Sequence, residues 1–190
     1  MFEEEINLIM EKNKKLIDKA VDIMKQVNDP KHSLFHMESV VKYTIQILRH
    51  EEKANKEVCI ISAYWHDVGR SIQKKDHALL SANMLKKEMT KLQYDDEIIE
   101  QCYLAIYKHS WYDMPETLEG IIVRDADKID FIGIGRWKQC IKEQNKCNSI
   151  LELLPTLRSE FLQLECSRKI YDIEVSKLIK YLHDIIFDVK

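Results

Sequence analysis

A chain of 190 residues, 45% of them apolar, is long enough to build one stable core without disulfides or structural metals. Only four glycines and three prolines leave few punctuation points, which disfavours a many-turned β-sandwich or barrel. A net charge of −3 excludes a global positive field that would draw in nucleic acid or an anionic membrane, although local basic clusters can still hold a small anion.

Hydrophobic spacing is helical almost everywhere and no segment alternates at period two, so the expected class is all-α, with one domain over the whole chain. No repeat, low-complexity tract or Gly/Ser linker divides it. Ile6, Ile9, Met10, Leu16, Ile17, Ile23 and Met24 predict a first helix ending near Asn28-Asp29-Pro30. Val40, Val41, Tyr43, Thr44, Ile47 and Leu48 predict a second, with Ser33 as its N-cap. The apolar run from Val58 to Trp65 predicts a buried helix that emerges at His66, Asp67 and Gly69, the glycine acting as a C-terminal stop. A fourth helix is expected from about Ala78 to Met89 and a fifth from about Asp95 to His109. Thr117 can cap a sixth, which carries Ile121, Ile122 and Val123 to Asp125-Ala126-Asp127. The tail from Ser167 to Val189 predicts a long amphipathic helix with Ile170, Ile173, Leu178, Leu182 and Ile186 inward. Its other face could pair two copies of the chain as a homodimer, which nothing in the sequence requires.

The five cysteines, Cys59, Cys102, Cys140, Cys147 and Cys166, include no C-x-x-C pair and read as reduced, mostly buried thiols. The segment MFEEEINLIMEKNKK is acidic and broken by charges, with neither a signal-peptide core nor a membrane span. The expected location is the cytoplasm.

Seven histidines occur: His32, His36, His50, His66, His77, His109 and His183. A lone helical histidine is usually a surface or hydrogen-bonded residue, and the dipeptide His-Asp is itself a weak signal. His183-Asp184 repeats it inside the terminal helix, where it reads as solvated. His66-Asp67 differs in its company. His36 lies near the start of one predicted helix, His66-Asp67 closes another, and Asp127 closes a third beside Asp125. Ends of separated helices can converge on one cleft framed by the helices themselves. Two imidazoles and two carboxylates form a mixed N/O set suited to Mn²⁺, Fe²⁺, Co²⁺, Ni²⁺ or Zn²⁺. The absence of paired cysteines argues against structural zinc. An open position on such a metal would hold water with its pKa lowered toward neutrality.

Other motifs fail on inspection. His32-x-x-x-His36 has zincin spacing but Ser33 in place of the required Glu. Gly133-Ile134-Gly135 lacks a third glycine and a preceding strand. Asp125-x-Asp127 begins like a calcium loop, but Ile129 and Arg136 stand where ligands belong.

Five segments together resemble the HD superfamily of metal-dependent phosphohydrolases. They are His32-Ser33-Leu34-Phe35-His36, Trp65-His66-Asp67-Val68-Gly69-Arg70, Asp76-His77 with Ser81-Ala82, Lys108-His109-Ser110, and Asp125-Ala126-Asp127-Lys128-Ile129-Asp130. They follow in family order over roughly residues 30–136 and look closest to the small stand-alone bacterial branch typified by YpgQ and YedJ. The resemblance implies that His36, His66, Asp67 and Asp127 bind a divalent metal, Mn²⁺ foremost, with Mg²⁺, Fe²⁺, Co²⁺, Ni²⁺ or Zn²⁺ as alternatives. It implies activity on phosphate esters or anhydrides, with nucleotides the favoured substrates. From the net charge and the lack of a membrane span, neither nucleic acid nor membrane is an expected partner. The sharpest expectation is a nucleoside or deoxynucleoside triphosphate pyrophosphohydrolase. Its rivals are a 5′-nucleotidase, a phosphodiesterase, and a non-catalytic nucleotide-sensing module.

Beside the metal ligands, Asp67, His77 and His109 form the expected catalytic set. His77 and His109 could be ligands of a second metal bridged by Asp67, or, with a single metal, groups facing the substrate phosphates, or purely structural residues. The single metal is favoured. Phosphoanhydride hydrolysis needs cations on the non-bridging oxygens, so Arg70, Lys74 and Lys128 join His77 and His109 as substrate-binding candidates. Lys74 and its neighbour Lys75 could equally be a solvated loop, and Lys128 could instead pair with Asp125. Tyr107, Trp111 and Tyr112 surround His109 and could stack on a base or simply pack the core. Trp137-Lys138, after Arg136, divides the same way. One departure stands out: relatives often carry Arg three residues after the first metal histidine, where this chain has Ser39. Lys42 or Arg70 would have to replace it.

Overall fold

The computed structural model describes residues 1–29, 31–111, 113–142 and 154–187, and among these no strand occurs. The expected first helix is two: α1 (Phe2–Lys12) and α2 (Lys14–Met24). They break at Asn13, which is fully buried. Its amide donates to the Ile9 carbonyl and to Glu57, each at 2.8 Å, and accepts from the Tyr94 hydroxyl at 2.7 Å. A buried amide must find partners. Periodicity could not show these, because Glu57 and Tyr94 lie 44 and 81 residues away.

α3 (Leu34–Leu48) starts from Ser33, whose backbone is extended as an N-cap requires, but the Ser33 hydroxyl makes no capping bond. α4 (Lys56–Trp65) is buried at every position from Val58 to Trp65, as its unbroken apolar run demands, and Asn55 caps it by accepting from the Val58 amide at 3.2 Å. A 3₁₀ turn follows at Val68–Ser71.

Gly69, expected as a C-terminal stop, lies in that turn, and no described glycine has the positive φ of a left-handed helix stop. Its necessity is proximity to α5 (His77–Lys91). A Cβ there would sit 2.4 Å from the His77 carbonyl oxygen and 2.8 Å from the Ser81 amide nitrogen. The Gly69 amide donates to Ser81 Oγ at 2.8 Å across the same contact. Because main-chain atoms would have to move, Gly69→Ala should lower stability by about 1–3 kcal/mol, the usual cost of overpacking. Denaturant unfolding checks this, and an unchanged midpoint would refute it.

α6 (Asp96–Tyr107) stops two residues short of His109. α7 (Leu118–Asp130) is capped by the Thr117 hydroxyl, which accepts from the Gly120 amide at 3.1 Å. It runs past Asp127 to Asp130, so Asp127 stands in its last turn and does not end it. α8 (Ile134–Lys142) and a π-helical turn at Leu157–Phe161 precede α9 (Glu165–Phe187). In α9 the buried stripe is Ser167, Tyr171, Glu174 and Leu178, with Ile170 and Leu182 against the core. Ile173, expected inward, is 56% exposed because helical spacing puts it opposite that stripe. Ile186 and Cys147 lie outside the described side chains, as does Cys140, while Cys59 and Cys102 are buried. No described helix is long and apolar enough to cross a membrane.

α3 packs between α4 and α7, and α6 lies against α4, α5 and α7. This arrangement brings the first turn of α3, the C-terminal end of α4 and the last turn of α7 to one place.

Candidate metal centre

The histidines are aimed by the helix ends that carry them. The last carbonyls of a helix lack intrahelical donors. His66 Nδ1 lies 2.8 Å from the Ala63 carbonyl and His109 Nδ1 2.7 Å from that of Ile106. Carbonyls only accept, so each Nδ1 donates, caps its helix and turns Nε2 into the cleft. His77, at the start of α5, likewise donates from Nδ1 to a carbonyl, that of Lys74 in the preceding loop, at 3.0 Å. His36 Nδ1 lies 2.6 Å from Asp130 Oδ2.

Four groups then converge. His36 Nε2 is 3.1 Å from His66 Nε2, 3.3 Å from Asp127 Oδ1 and 3.5 Å from Asp67 Oδ2. His66 Nε2 is 3.8 Å from the same Asp67 oxygen. With both Nδ1 atoms protonated, two imidazole lone pairs face each other, a contact that needs a proton or a cation between them. Asp67 Oδ1 is buried without a hydrogen-bond partner. Ligands about 2.1 Å from a metal are about 3.0 Å apart in an octahedron and about 3.4 Å in a tetrahedron. The set therefore fits a divalent cation in size, charge and donor chemistry.

Without a cation, a proton takes this place. Burial and Arg136 oppose protonation of His36, but Asp127, Asp130 and Asp67 override them and push it up to about 10. Burial drives His66 down to about 3. Burial also works against the Asp67 and Asp127 anions, yet surrounding cations and imidazoles (His66 and His109 for Asp67, Lys128 and His36 for Asp127) hold both well below the usual carboxylate range.

The Asp67 carboxylate is shared further. Oδ2 lies 2.9 Å from His32 Nδ1 and 2.8 Å from Arg70 Nε, while Oδ1 faces His77 Nε2 at 3.2 Å and His109 Nε2 at 3.6 Å. Lys31, Arg70, Lys128 and Arg136 line the same cleft of about 370 Å³ as Asp67 and Asp127. A larger groove of about 750 Å³, between α1–α2 and the α5–α6 loop, mixes Glu11, Lys14, Asp18 and Tyr94 without a convergent cluster of imidazoles.

The structure thus brings together His36, His66, Asp67, Asp127, His77, His109, Arg70 and Lys128. It leaves Lys74 out: its side chain is 80% exposed and 3.6 Å from Asp29. Lys128 does not pair with Asp125. Its Nζ is 2.7 Å from Asp127 Oδ2 and lies over the Trp111 ring, 4.8 Å from the centroid. Asp125 instead accepts from the main-chain amides of Gln163 and Leu164, at 3.1 and 3.0 Å, and anchors the approach to α9. Lys42 opens into a separate cleft with Phe35, Glu38 and Tyr43, so it does not stand in for the arginine absent at Ser39. Tyr107 stacks on Tyr103 while Trp111 lines the cleft, and Tyr112 lies outside the described residues. His183 and Asp184 are 65% and 54% exposed, the solvated copy expected.

Roles for His32, Asp130 and Arg136 escaped the sequence. Asp130 had a usable signal, three residues after Asp127 on one helix, which is helical spacing for a shared face. His32 precedes the start of α3, so its distance of four from His36 carried no such signal. Arg136 had none, because it enters from α8.

A helical frame that delivers two histidines and two aspartates to a cation-lined cleft defines a metal-dependent phosphohydrolase of the HD kind. The HD domain family model matches residues 34–132, more than half of the chain, and the chain belongs to that family. No curated protein matches it. Its fold is similar to that of a predicted HD superfamily hydrolase from an uncultured Thermotogales bacterium, with a TM-score of 0.69 and 21% identity over 93% of this chain and 92% of that one. It is likewise similar to Bacillus subtilis YpgQ in complex with ADP, with a TM-score of 0.70 and 16% identity over 95% and 96% of the two chains.

Proposed function

We propose that the chain hydrolyses a nucleotide phosphoanhydride, cutting a nucleoside or deoxynucleoside triphosphate to the monophosphate and pyrophosphate. The observation that carries this reading is the juxtaposition of Lys31, Arg70, Lys128 and Arg136 with Asp67 and Asp127 in one cleft. Phosphoryl transfer is mainly positioning and charge stabilisation, and this lining serves both. The ADP bound to YpgQ supports a nucleotide as the substrate.

In this reading His36, His66, Asp67 and Asp127 hold one divalent cation, with Mn²⁺ the first choice. Such a cation supplies Lewis acidity to a phosphoryl oxygen and lowers the pKa of water. Arg70, held by Asp67 at Nε and by His77 Nε2 at Nη2, can turn its remaining N–H groups to phosphate, and Lys128 offers a point charge already turned into the cleft. His77 and His109, their Nδ1 protons committed to carbonyls, can accept a proton at Nε2. Trp111, packed on Phe131 and Phe161, forms a wall that excludes water beside them. The cytoplasm, which holds nucleotides and keeps thiols such as Cys59 reduced, is the compartment this reading implies.

A substrate panel with Mn²⁺ tests it, following pyrophosphate and orthophosphate separately. Pyrophosphate from triphosphates is the expected product. Orthophosphate from monophosphates, or cleavage of phosphodiesters alone, would replace this reading with a nucleotidase or phosphodiesterase. Binding without turnover of any nucleotide would make the chain a sensing module.

A further inference from the structure

Among the described histidines that turn Nε2 toward the cleft, His66, His77 and His109 hold their Nδ1 protons on main-chain carbonyls. His36 is different. Its Nδ1 faces a carboxylate, Asp130 Oδ2, at 2.6 Å, and both residues are almost wholly buried, at 2% and 1% exposure. Asp130 is fixed in its turn. Arg136 Nε lies 3.1 Å from the same oxygen, and Arg136 Nη2 donates to the Lys31 carbonyl.

Arg136 Nη2 also lies 3.1 Å from His36 Nδ1. A guanidinium only donates, so that pair is a hydrogen bond only if Nδ1 is bare. The shorter contact to a carboxylate decides the matter, and the proton sits on Nδ1 between His36 and Asp130. Asp130 comes three residues after Asp127 on α7, so the two carboxylates share a face and grip opposite edges of one imidazole.

We propose that Asp130 is a positioning residue of the metal centre: clamped by Arg136, it accepts the hydrogen bond of the protonated His36 Nδ1 and directs the bare Nε2 at the cation. This rests on the reading of His36, His66, Asp67 and Asp127 as the cation-holding set. A carboxylate behind an imidazole fixes its tautomer and raises its basicity, so His36 is the strongest neutral ligand of the set. An asparagine at 130 would present a donor as readily as an acceptor. The tautomer with hydrogen on Nε2, which closes His36 to a cation, then becomes accessible.

Titration of the full-length chain with Mn²⁺, read by electron paramagnetic resonance of the free ion, gives the first test. Asp130→Asn should weaken Mn²⁺ binding by about 10–100-fold, and Arg136→Gln should weaken it in the same direction by less. Nitrogen-15 spectra of the Zn²⁺-loaded wild type give the second, and should place the His36 proton on Nδ1, hydrogen-bonded, with Nε2 bare. That measurement needs no variant and decides the matter if Asp130→Asn fails to fold. Wild-type binding matched within twofold by folded Asp130→Asn, or a His36 without a proton on Nδ1, would overturn the positioning role and leave the metal reading intact. A wild type that binds neither ion would bring down the metal reading itself.

Discussion

Asp67→Ala is expected to reduce nucleotide hydrolysis at saturating Mn²⁺ by at least about a thousandfold. Losing roughly 4 kcal/mol of metal-derived stabilisation corresponds to that factor, at 1.36 kcal/mol for each tenfold. Six side chains face it. One oxygen faces His32, His36, His66 and Arg70, and the other faces His77 and His109. Burial disfavours its charge, yet His66, His109, His32 and His36 hold its pKa well below the usual carboxylate range. It therefore remains an anion at every working pH, an anchor for the site and not a group that donates protons. Initial rates of pyrophosphate release, with circular dichroism to confirm folding, measure the effect. A folded Asp67→Ala that kept a tenth of wild-type activity would remove Asp67 from the chemistry.

The second large effect is a coupling between metal and pH. In the metal-free protein His36 carries a proton, with its pKa pushed up to about 10, while His66 is neutral, its pKa near 3. A cation must displace the His36 proton, because only the free Nε2 lone pair can bind it. Binding releases a proton, so higher pH favours it. Apparent Mn²⁺ affinity should climb about tenfold per pH unit from roughly pH 6.5 upward, where an ordinary imidazole would already have levelled off. Titrations at three pH values, and calorimetry in buffers of different ionisation enthalpy, read the slope and the proton. A profile flat above pH 7 would show that His36 is an ordinary imidazole.

The same two groups shape the stability of the metal-free chain, with opposite signs. The folded His36 pKa of about 10 lies above its unfolded value near 6.5. Its contribution is whole below that value and is lost as pH rises toward 10. The folded His66 pKa of about 3 lies below the unfolded value, so the unfolded chain gains protons first and stability is lost as pH falls from about 6.5. Asp67 and Asp127, whose pKa values are lowered, add to the loss on the acid side. Thermal melts of chelated protein should therefore peak near pH 6.5, and Mn²⁺ should move the optimum upward.

Much of the site is legible in the sequence, because its residues stand where helical patterns stop. His66-Asp67 ends an apolar run, His109 follows a helix, and Thr117 marks the start of the helix that carries Asp127. The second His-Asp pair, 183–184, lies within a helix, and that alone set it aside. What could not be read depends on partners remote in the chain. His36 and His66 are separated by 30 residues, His36 and Asp130 by 94, and His36 and Arg136 by 100. Lys74 and Lys128 illustrate the limit together. Both follow an acidic motif residue closely, yet one reaches toward Asp29 in solvent and the other turns onto Trp111 inside the cleft.

Hydrophobic period is a local property. It reports which side of each helix must leave water, and so it determined an all-helical chain and helix ends rich in imidazole and carboxylate. Contact geometry between helices is not local. Only the packing of α3 against α4 and α7 decided that His36 is gripped at both ring nitrogens. Packing of the 3₁₀ turn on α5 decided that Gly69 serves close approach and not a left-handed stop. The reason is common to both: a side chain's partners depend on how distant surfaces fit together, and a periodic pattern says nothing about the surface on the other side.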